Sequence, residues 1–356
     1  MQAKGYTILS FVKEAVKMEH RPVTIRDVAK KAGVSISTVS RAFNNYSDIN
    51  SETREKILKI SEELGYVPNI VARSLVSSKN YRLGLLIEDY DLVGLAGQMT
   101  FEVVMSFKNE ATRQGFETVL LTTTSDMQKS ERLDKLFRDK HLDGAFIMGL
   151  KMTDEYYNEL KGIELPCVLM DIDIKSHMIS CIGIDNVKGG FLATEYLIKN
   201  GHKNIAFING SREAFVSYER LDGYNSALNR YGIPLKDSLV EYGGFTDKGA
   251  ERAVEKLFDE SNDITAIFCA SDIMAIGAIN KLNELGLSVP EDVSVVGFDD
   301  IFAASFMSPK VTTIKQDRKK IGENAVNLLL NSLNGQKTDR LLMKPELVIR
   351  ESVKQI

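Results

Sequence analysis

The sequence predicts a protein of two unequal parts. The first is a small all-α unit of helix-turn-helix type. The second is a larger α/β unit built from two doubly wound parallel sheets. Three observations predict this. Two short helical patterns flank a glycine turn between Thr24 and Phe43. From Tyr81 onward, apolar runs alternate with amphipathic stretches in two successive series. The 356 residues also exceed what one core of ordinary size serves.

Charge divides along the same line. Residues 1–80 hold 13 Lys+Arg against 8 Asp+Glu, whereas residues 81–356 hold 32 against 41. A basic head on an acidic body concentrates phosphate affinity in the small unit. The composition, 44% hydrophobic and 26% charged, is that of a globular chain with no apolar run long enough for a membrane span. Residues 1–22 lack the apolar core of a secretion signal, so a cytoplasmic location is expected. Cys167, Cys181 and Cys269 are odd in number and lie in apolar runs, which points to buried thiols. His20, His141, His177 and His202 have no metal-ligand spacing, and no metal site or cofactor is expected. A Gly-rich phosphate loop, a nucleophile elbow and a metal-ligand cluster are all missing from the sequence, which argues against an enzyme.

The elements follow in order. Thr24 is a good N-cap for a helix Ile25–Ala32, with Asp27 where a capping box places its acid. Ile25, Val28, Ala29 and Ala32 share one face. Gly33 supplies the turn, Val34 plugs the angle between helices, and Ser35 caps a second helix, Ile36–Phe43. Its inner face is Val39, Ala42 and Phe43, and its outer face is Ser37, Thr38, Ser40 and Arg41. Small hydrogen-bonding side chains suit close approach to DNA, and an arginine can bond guanine O6 and N7 together. After the loop Asn44–Asp48, Ser51 is expected to cap a third helix through Glu63, with Ile57, Leu58, Ile60 and Leu64 inward and Gly65 ending it. Pro68 and Asn69 precede a short helix, Ile70–Val76, too short to be stable alone.

In the large unit, strands are expected at Leu83–Ile87, Glu117–Leu121, Gly144–Met148 and Cys167–Met170, with a helix over about 100–114. A second series follows Asp185: a helix Gly189–Lys199 and strands Ile205–Ile208, Ala266–Cys269 and Val293–Val296. Continuous apolar strands alternating with helices indicate parallel sheets covered on both faces. Ligands of such sheets bind beyond the C-terminal strand ends, and two lobes can close on one. Polar residues mark those ends: Asp171, Ser271-Asp272 and Asp299-Asp300, with Arg220 opening a helix. Carboxylates and a guanidinium converging on a cleft suit a polyhydroxyl ligand. Each alone reads equally as a helix cap, and Asp272 is read as one.

The run Thr24 to Ser35, with Ser37-Thr38-Val39-Ser40-Arg41, resembles the DNA reader of the LacI/GalR family of bacterial repressors. The likeness continues through Leu64–Asn69 and Val71–Leu75, then Gly201–Ala206, Arg220–Tyr224, Ser271–Gly277, Val295–Asp299 and Val311–Ile314. It implies a regulator, more often a repressor, with a periplasmic-binding-protein-like second domain. The expected division is an extension 1–22, a reader 23–67, a hinge 68–80 and an effector and dimerisation domain 81–356. Lobe 1 would be about 81–185 and 317–344, and lobe 2 about 186–314 and 345–356. The partners implied are pseudo-palindromic double-stranded operator DNA, a second copy of the chain, and a small effector, a sugar or sugar phosphate. A purine or a corepressor protein is the alternative effector. A sugar-binding or sugar-processing protein is the rival of another class.

By the same resemblance, Ile36, Ser37 and Arg41 would read bases, and Thr38 and Tyr66 would meet phosphates. Thr24, Asn44, Ala72 and Arg73 would also contact DNA. Leu75 would be the wedge of a hinge helix that forms only on DNA. Asp171, Arg220, Ser271 and Asp299 would line the effector cleft, with Phe245 stacking on the ligand. Three features depart from the family: a long loop Glu88–Gln98, Gln316-Asp317 in place of Gln-Pro, and residues 1–22. In the last, either Tyr6–Lys17 forms an extra helix or Met18 is the initiator. No leucine heptads follow Ser352, so a dimer is expected and not a tetramer.

Overall fold

The computed structural model describes residues 23–43, 48–66, 80–88, 95–260, 263–336 and 340–356. It divides into two units, Met1–Asn80 and Tyr81–Ile356.

The small unit contains α1 (Ile25–Ala32), α2 (Ile36–Phe43) and α3 (Ser51–Leu64). The Asp27 carboxylate accepts from the Thr24 backbone N–H at 2.9 Å and from its hydroxyl at 2.6 Å, tying down the start of α1. Gly33 turns the chain at φ +72°, a left-handed conformation that a side chain resists. The Ser35 hydroxyl then accepts from the Thr38 N–H at 3.1 Å. Val28, Ala29, Ala32, Val39, Ala42, Ile57 and Ile60 are buried together, with Val34, Phe43 and Tyr66 packed around them. Two expectations are corrected. Asn50 caps α3, its Oδ1 accepting from Glu52 N–H at 2.7 Å and Thr53 N–H at 3.2 Å, so Ser51 is the first helical residue. Leu58 is 43% exposed, because one residue of helical rotation carries it away from the Ile57–Ile60 face.

The large unit begins with β1 (Arg82–Glu88), α4 (Leu95–Arg113), β2 (Glu117–Thr123), α5 (Ser125–Gln128), α6 (Leu133–Asp139), β3 (Gly144–Met148), α7 (Glu155–Glu159), β4 (Cys167–Met170) and β5 (Ile179–Ile184). Next come α8 (Asn186–Lys199), β6 (Ile205–Asn209), α9 (Phe215–Arg230), β7 (Val240–Tyr242), α10 (Asp247–Glu260), β8 (Ala266–Cys269), α11 (Asp272–Glu284), β9 (Ser294–Asp299) and β10 (Thr312–Lys315). The chain ends with α12 (Arg318–Leu333), β11 (Leu341–Met343) and β12 (Glu346–Val348).

Two six-stranded sheets result, ordered β11-β5-β4-β3-β1-β2 and β12-β10-β9-β8-β6-β7. The chain passes between them after β5, after β10 and after β11. All described pairings are parallel except β10 with the edge strand β12. The central strands β3, β4, β6, β8 and β9 are buried along their whole length, which is why they read as continuous apolar runs, whereas β5 is equally buried but its Ser180 and Gly183 break the apolar pattern. Strands β5, β7, β10, β11 and β12 carried no expectation from the sequence. Helix α4 starts at Leu95, so the expected loop to Gln98 is partly helical. Helix α9 starts at Phe215, so Arg220 lies inside it and does not open it.

Helices α8 and α9 approach at backbone distance. A Cβ on Gly190 would sit 2.4 Å from the Arg220 carbonyl oxygen, and one on Gly223 would sit 2.2 Å from that of Val187. The glycine pair thereby sets where Arg220 emerges. The three cysteines are free and buried. Among the described residues, no helix is long and apolar enough to cross a membrane.

Candidate functional site

A cavity of about 530 Å³ lies beyond the C-terminal ends of strands from both sheets. Its lining includes Ile87 and Glu88 at the end of β1, Met170 closing β4 with Asp171 after it, Ser271 after β8, and Asp299 closing β9. The five residues expected in a cleft, Asp171, Arg220, Phe245, Ser271 and Asp299, all line this one cavity. Much of the remaining wall is apolar: Met148, Leu150 and Ile172 from lobe 1, and Phe215, Val216 and Ile273 from lobe 2. Beyond it the Met152 N–H donates to the Glu213 carbonyl at 3.0 Å, one lobe bonded directly to the other.

Arg220 anchors the polar side. Its Nε donates to Asn186 Oδ1 at 2.9 Å, its Nη1 donates to the Ala270 carbonyl at 2.5 Å, and its guanidinium lies 3.8 Å from the centre of the Phe298 ring. Burial lowers its pKa, opposed by the charges of Asp299 and Asp171. Burial pushes the Asp171 carboxyl up to about 6, opposed by the positive charge of Arg220. Asp299 is raised for the same reason, opposed by Arg220 and Arg318, and it accepts from Gln316 Nε2 at 2.6 Å. Arg318 also donates to the Asp299 carbonyl.

Three of the five cavity residues are held at positive φ: Asp171 at +59°, Phe245 at +60° and Asp299 at +114°. Side chains rarely adopt this region, and such strain gathers where a side chain must be aimed. The Ser271 hydroxyl accepts from the Met274 N–H at 3.3 Å and caps α11. Asp272 is therefore not the cap that the sequence suggested. Fully buried, it accepts from the Ile301 N–H at 2.8 Å and from the Thr313 hydroxyl at 2.5 Å, and so holds cavity-lining Ile301 in place. Burial raises its pKa well above the ordinary carboxylate range.

Sequence reasoning missed Glu88, Lys151 and Gln316, which also line the cavity. The Ser125 hydroxyl lies 3.0 Å from Glu88 Oε1 and 2.7 Å from Asp154 Oδ1, and Lys151 Nζ donates to Glu88 at 3.2 Å. Burial raises the Glu88 pKa, and Asp154 adds to this. The signal for Glu88 was present: it ends an apolar strand as Asp171 and Asp299 do. Gln316 follows β10 by the same rule.

On the small unit, Ile36 is 45% exposed, Ser37 is exposed and Thr38 is half-buried. The Ser35 hydroxyl is 2.7 Å from that of Ser37 and 2.8 Å from that of Thr38. Arg41 is exposed and pairs with Asp48 at 2.6 Å. The Thr24 hydroxyl is engaged by Asp27. Tyr66 is half-buried with its ring tilted against Phe43, centroids 5.7 Å apart, and burial raises its pKa. Asn44, Ala72, Arg73, Leu75 and the helix expected over 70–76 lie outside the described residues, as does the 1–22 extension.

The family model described as bacterial regulatory proteins, lacI family, matches residues 24–69, and a periplasmic binding protein-like domain matches residues 194–353. The chain is 35% identical over 336 residues to the HTH-type transcriptional repressor PurR of Vibrio vulnificus (strain CMCP6), covering 94% of this chain and 99% of the relative. The chain belongs to the LacI family. It is a DNA-binding transcriptional regulator with a helix-turn-helix domain and a two-lobed α/β domain. The HTH-type transcriptional regulator RegA of Clostridium saccharobutylicum is 34% identical over 332 residues, 92% of this chain and 98% of its own. Among solved structures of the family, a complex of the regulator CelR with cellobiose superposes with TM-score 0.70 at 32% identity, over 93% of this chain and all of that one. A lac repressor dimer bound to operator and the anti-inducer ONPF superposes with TM-score 0.71 at 29% identity, over 94% of this chain and all of that one.

Proposed function

We propose that this chain is a dimeric repressor whose operator affinity is set by a small polyhydroxylated effector held between its two lobes. The observation that carries the reading is convergence. Asp171, Arg220, Phe245, Ser271 and Asp299, scattered over the sequence, line one cavity at the C-terminal strand ends of both sheets. A buried guanidinium flanked by carboxylates can bind vicinal hydroxyls in forked geometry. The likeness to the CelR–cellobiose complex supports a carbohydrate. The cavity's role is binding and not turnover, and the protein acts in the cytoplasm, on chromosomal DNA.

On the operator, Ile36, Ser37 and Arg41 read base edges while Thr24, Thr38 and Tyr66 position the backbone. Effector in the cavity changes how the lobes are disposed, and operator and effector affinities are then reciprocally coupled. A flat purine is the second reading. Phe215 and Phe245 on the wall favour it, as does the likeness to PurR.

The test is a thermal-shift screen of the full chain against sugars and nucleobases, followed by operator titration with each hit and with the Asp299→Ala variant. The expected result is a hit that changes operator affinity in the wild type and leaves the variant unaffected, with basal operator binding intact. A hit that changes operator affinity equally in both removes the cavity from the mechanism.

A further inference from the structure

We propose that Asp48 is a positioning residue for DNA reading: its carboxylate holds the Arg41 guanidinium for one guanine, and so sharpens base choice without touching a base. This rests on Arg41 reading a base edge. Arg41 Nη1 donates to Asp48 Oδ2 at 2.6 Å. Arg41 lies in the last turn of α2, opposite the buried Val39 and Ala42, on the face that also carries Ser37. Asp48 belongs to a different element. It stands two residues before Asn50, whose side chain fixes the start of α3 by bonds to the Glu52 and Thr53 N–H groups. The two side chains of the pair are 55% and 51% exposed. A negative group thus stands on the surface that α2 turns outward to a polyanion.

Folding does not account for it. Exposed ion pairs add little to stability, since water screens them and ordering two side chains costs entropy. Phosphate affinity does not account for it either, because a carboxylate there repels DNA. What the pair supplies is direction. An arginine side chain has many rotamers, and a bidentate bond to guanine O6 and N7 accepts few of them. A carboxylate bonded to Nη1 sets the plane of the guanidinium before DNA arrives. Five N–H donors lie in that plane, so one bond to Asp48 and two to guanine are compatible. The charge-assisted bond strengthens as DNA displaces the water around it. An Arg41 swung toward a wrong base breaks that bond and leaves a carboxylate facing phosphates without its cation. Asp48 therefore raises the penalty of a mismatch while it lowers affinity for DNA in general.

The experiment is affinity selection by the full chain from a randomised duplex library, with sequencing of the bound fraction, for the wild type, Arg41→Ala and Asp48→Ala. Binding to one duplex of arbitrary sequence is titrated alongside. We expect Arg41→Ala to lose the preference at one base pair of each half-site. Asp48→Ala should reduce the preference at that same base pair at least about threefold and leave the other positions unchanged. It should bind the arbitrary duplex about twofold more tightly, because a negative charge is gone.

A merely structural role would weaken binding to all sequences alike and keep every base preference, which overturns the proposal. A preference that sharpens in Asp48→Ala also overturns it, because Asp48 would then hold Arg41 off the DNA. So does a loss confined to another base pair, because Asp48 would then read a base itself. In each of these cases Arg41→Ala still loses its position, and the base-reading role of Arg41 stands. If Arg41→Ala loses no position, that reading fails and the proposal with it. Should Asp48→Ala fail to fold, Asp48→Asn, of the same shape and without the charge, is put to the same selection and judged by the same outcomes.

Discussion

Asp171→Asn is expected to stabilise the ligand-free protein, and by more at pH 7.5 than at pH 4.5. Burial raises the Asp171 carboxyl from 3.8 to about 6. Between those values the folded protein binds more protons than the unfolded chain, so stability falls as pH rises through the window. The contribution is whole below pH 3.8 and lost above about 6. The shift of about 2.2 units corresponds to about 3 kcal/mol at pH 7.5 and about 1 kcal/mol at pH 4.5. Asparagine keeps the shape, tolerates the left-handed backbone at φ +59°, and carries no charge to desolvate. The variant should therefore gain up to about 3 kcal/mol at pH 7.5 and about 1 kcal/mol at pH 4.5. Urea denaturation of both proteins at the two pH values measures it. Equal gains at the two values would refute the argument, because only a titrating group makes the difference depend on pH.

Further outcomes are expected elsewhere. Arg41→Ala should lose about 1–3 kcal/mol of operator affinity and relax specificity at one base pair, read by titration against operator variants; equal losses on operator and random DNA would deny it a base-reading role. Gly190→Ala places a methyl 2.4 Å from the Arg220 carbonyl. It should cost about 1–3 kcal/mol in urea melts and weaken effector binding along with it; a neutral effect would mean that α8 and α9 are free to separate. Asn50→Ala should cost about 1 kcal/mol, seen in hydrogen exchange of the α3 amides in the full chain, whereas Ser51→Ala should change little. The reverse order would return the cap to Ser51.

The small unit was legible because its logic is local. Thr24 with Asp27, Gly33 and Ser35 act within a few residues of chain, and the structure shows each in its expected role. The errors there were also local. Asn50 and Ser51 are both good caps, and the sequence alone does not say which of two adjacent candidates leaves the helix.

In the large unit, the apolar runs were enough to place the buried strands β3, β4, β6 and β8, whose burial on both faces writes itself into composition, but not β5, where Ser180 and Gly183 interrupt the run. Short edge strands such as β7 and β11 carry no such imprint, since only part of each is covered. Their existence is settled by the neighbour that bonds them.

The cavity divides in the same way. The sequence by itself determined which residue types stand at the C-terminal strand ends, and hence that a polar site forms there. Only the tertiary structure decided how they are used. Ser271 caps while Asp272 braces Ile301, Arg220 emerges where two glycines let α8 and α9 touch, and Asp171 and Gln316 each keep one acceptor oxygen unpartnered. Local signals follow from the backbone of a few neighbouring residues. The pairing of groups more than a hundred residues apart depends on how two sheets pack, and no short stretch of sequence carries that information.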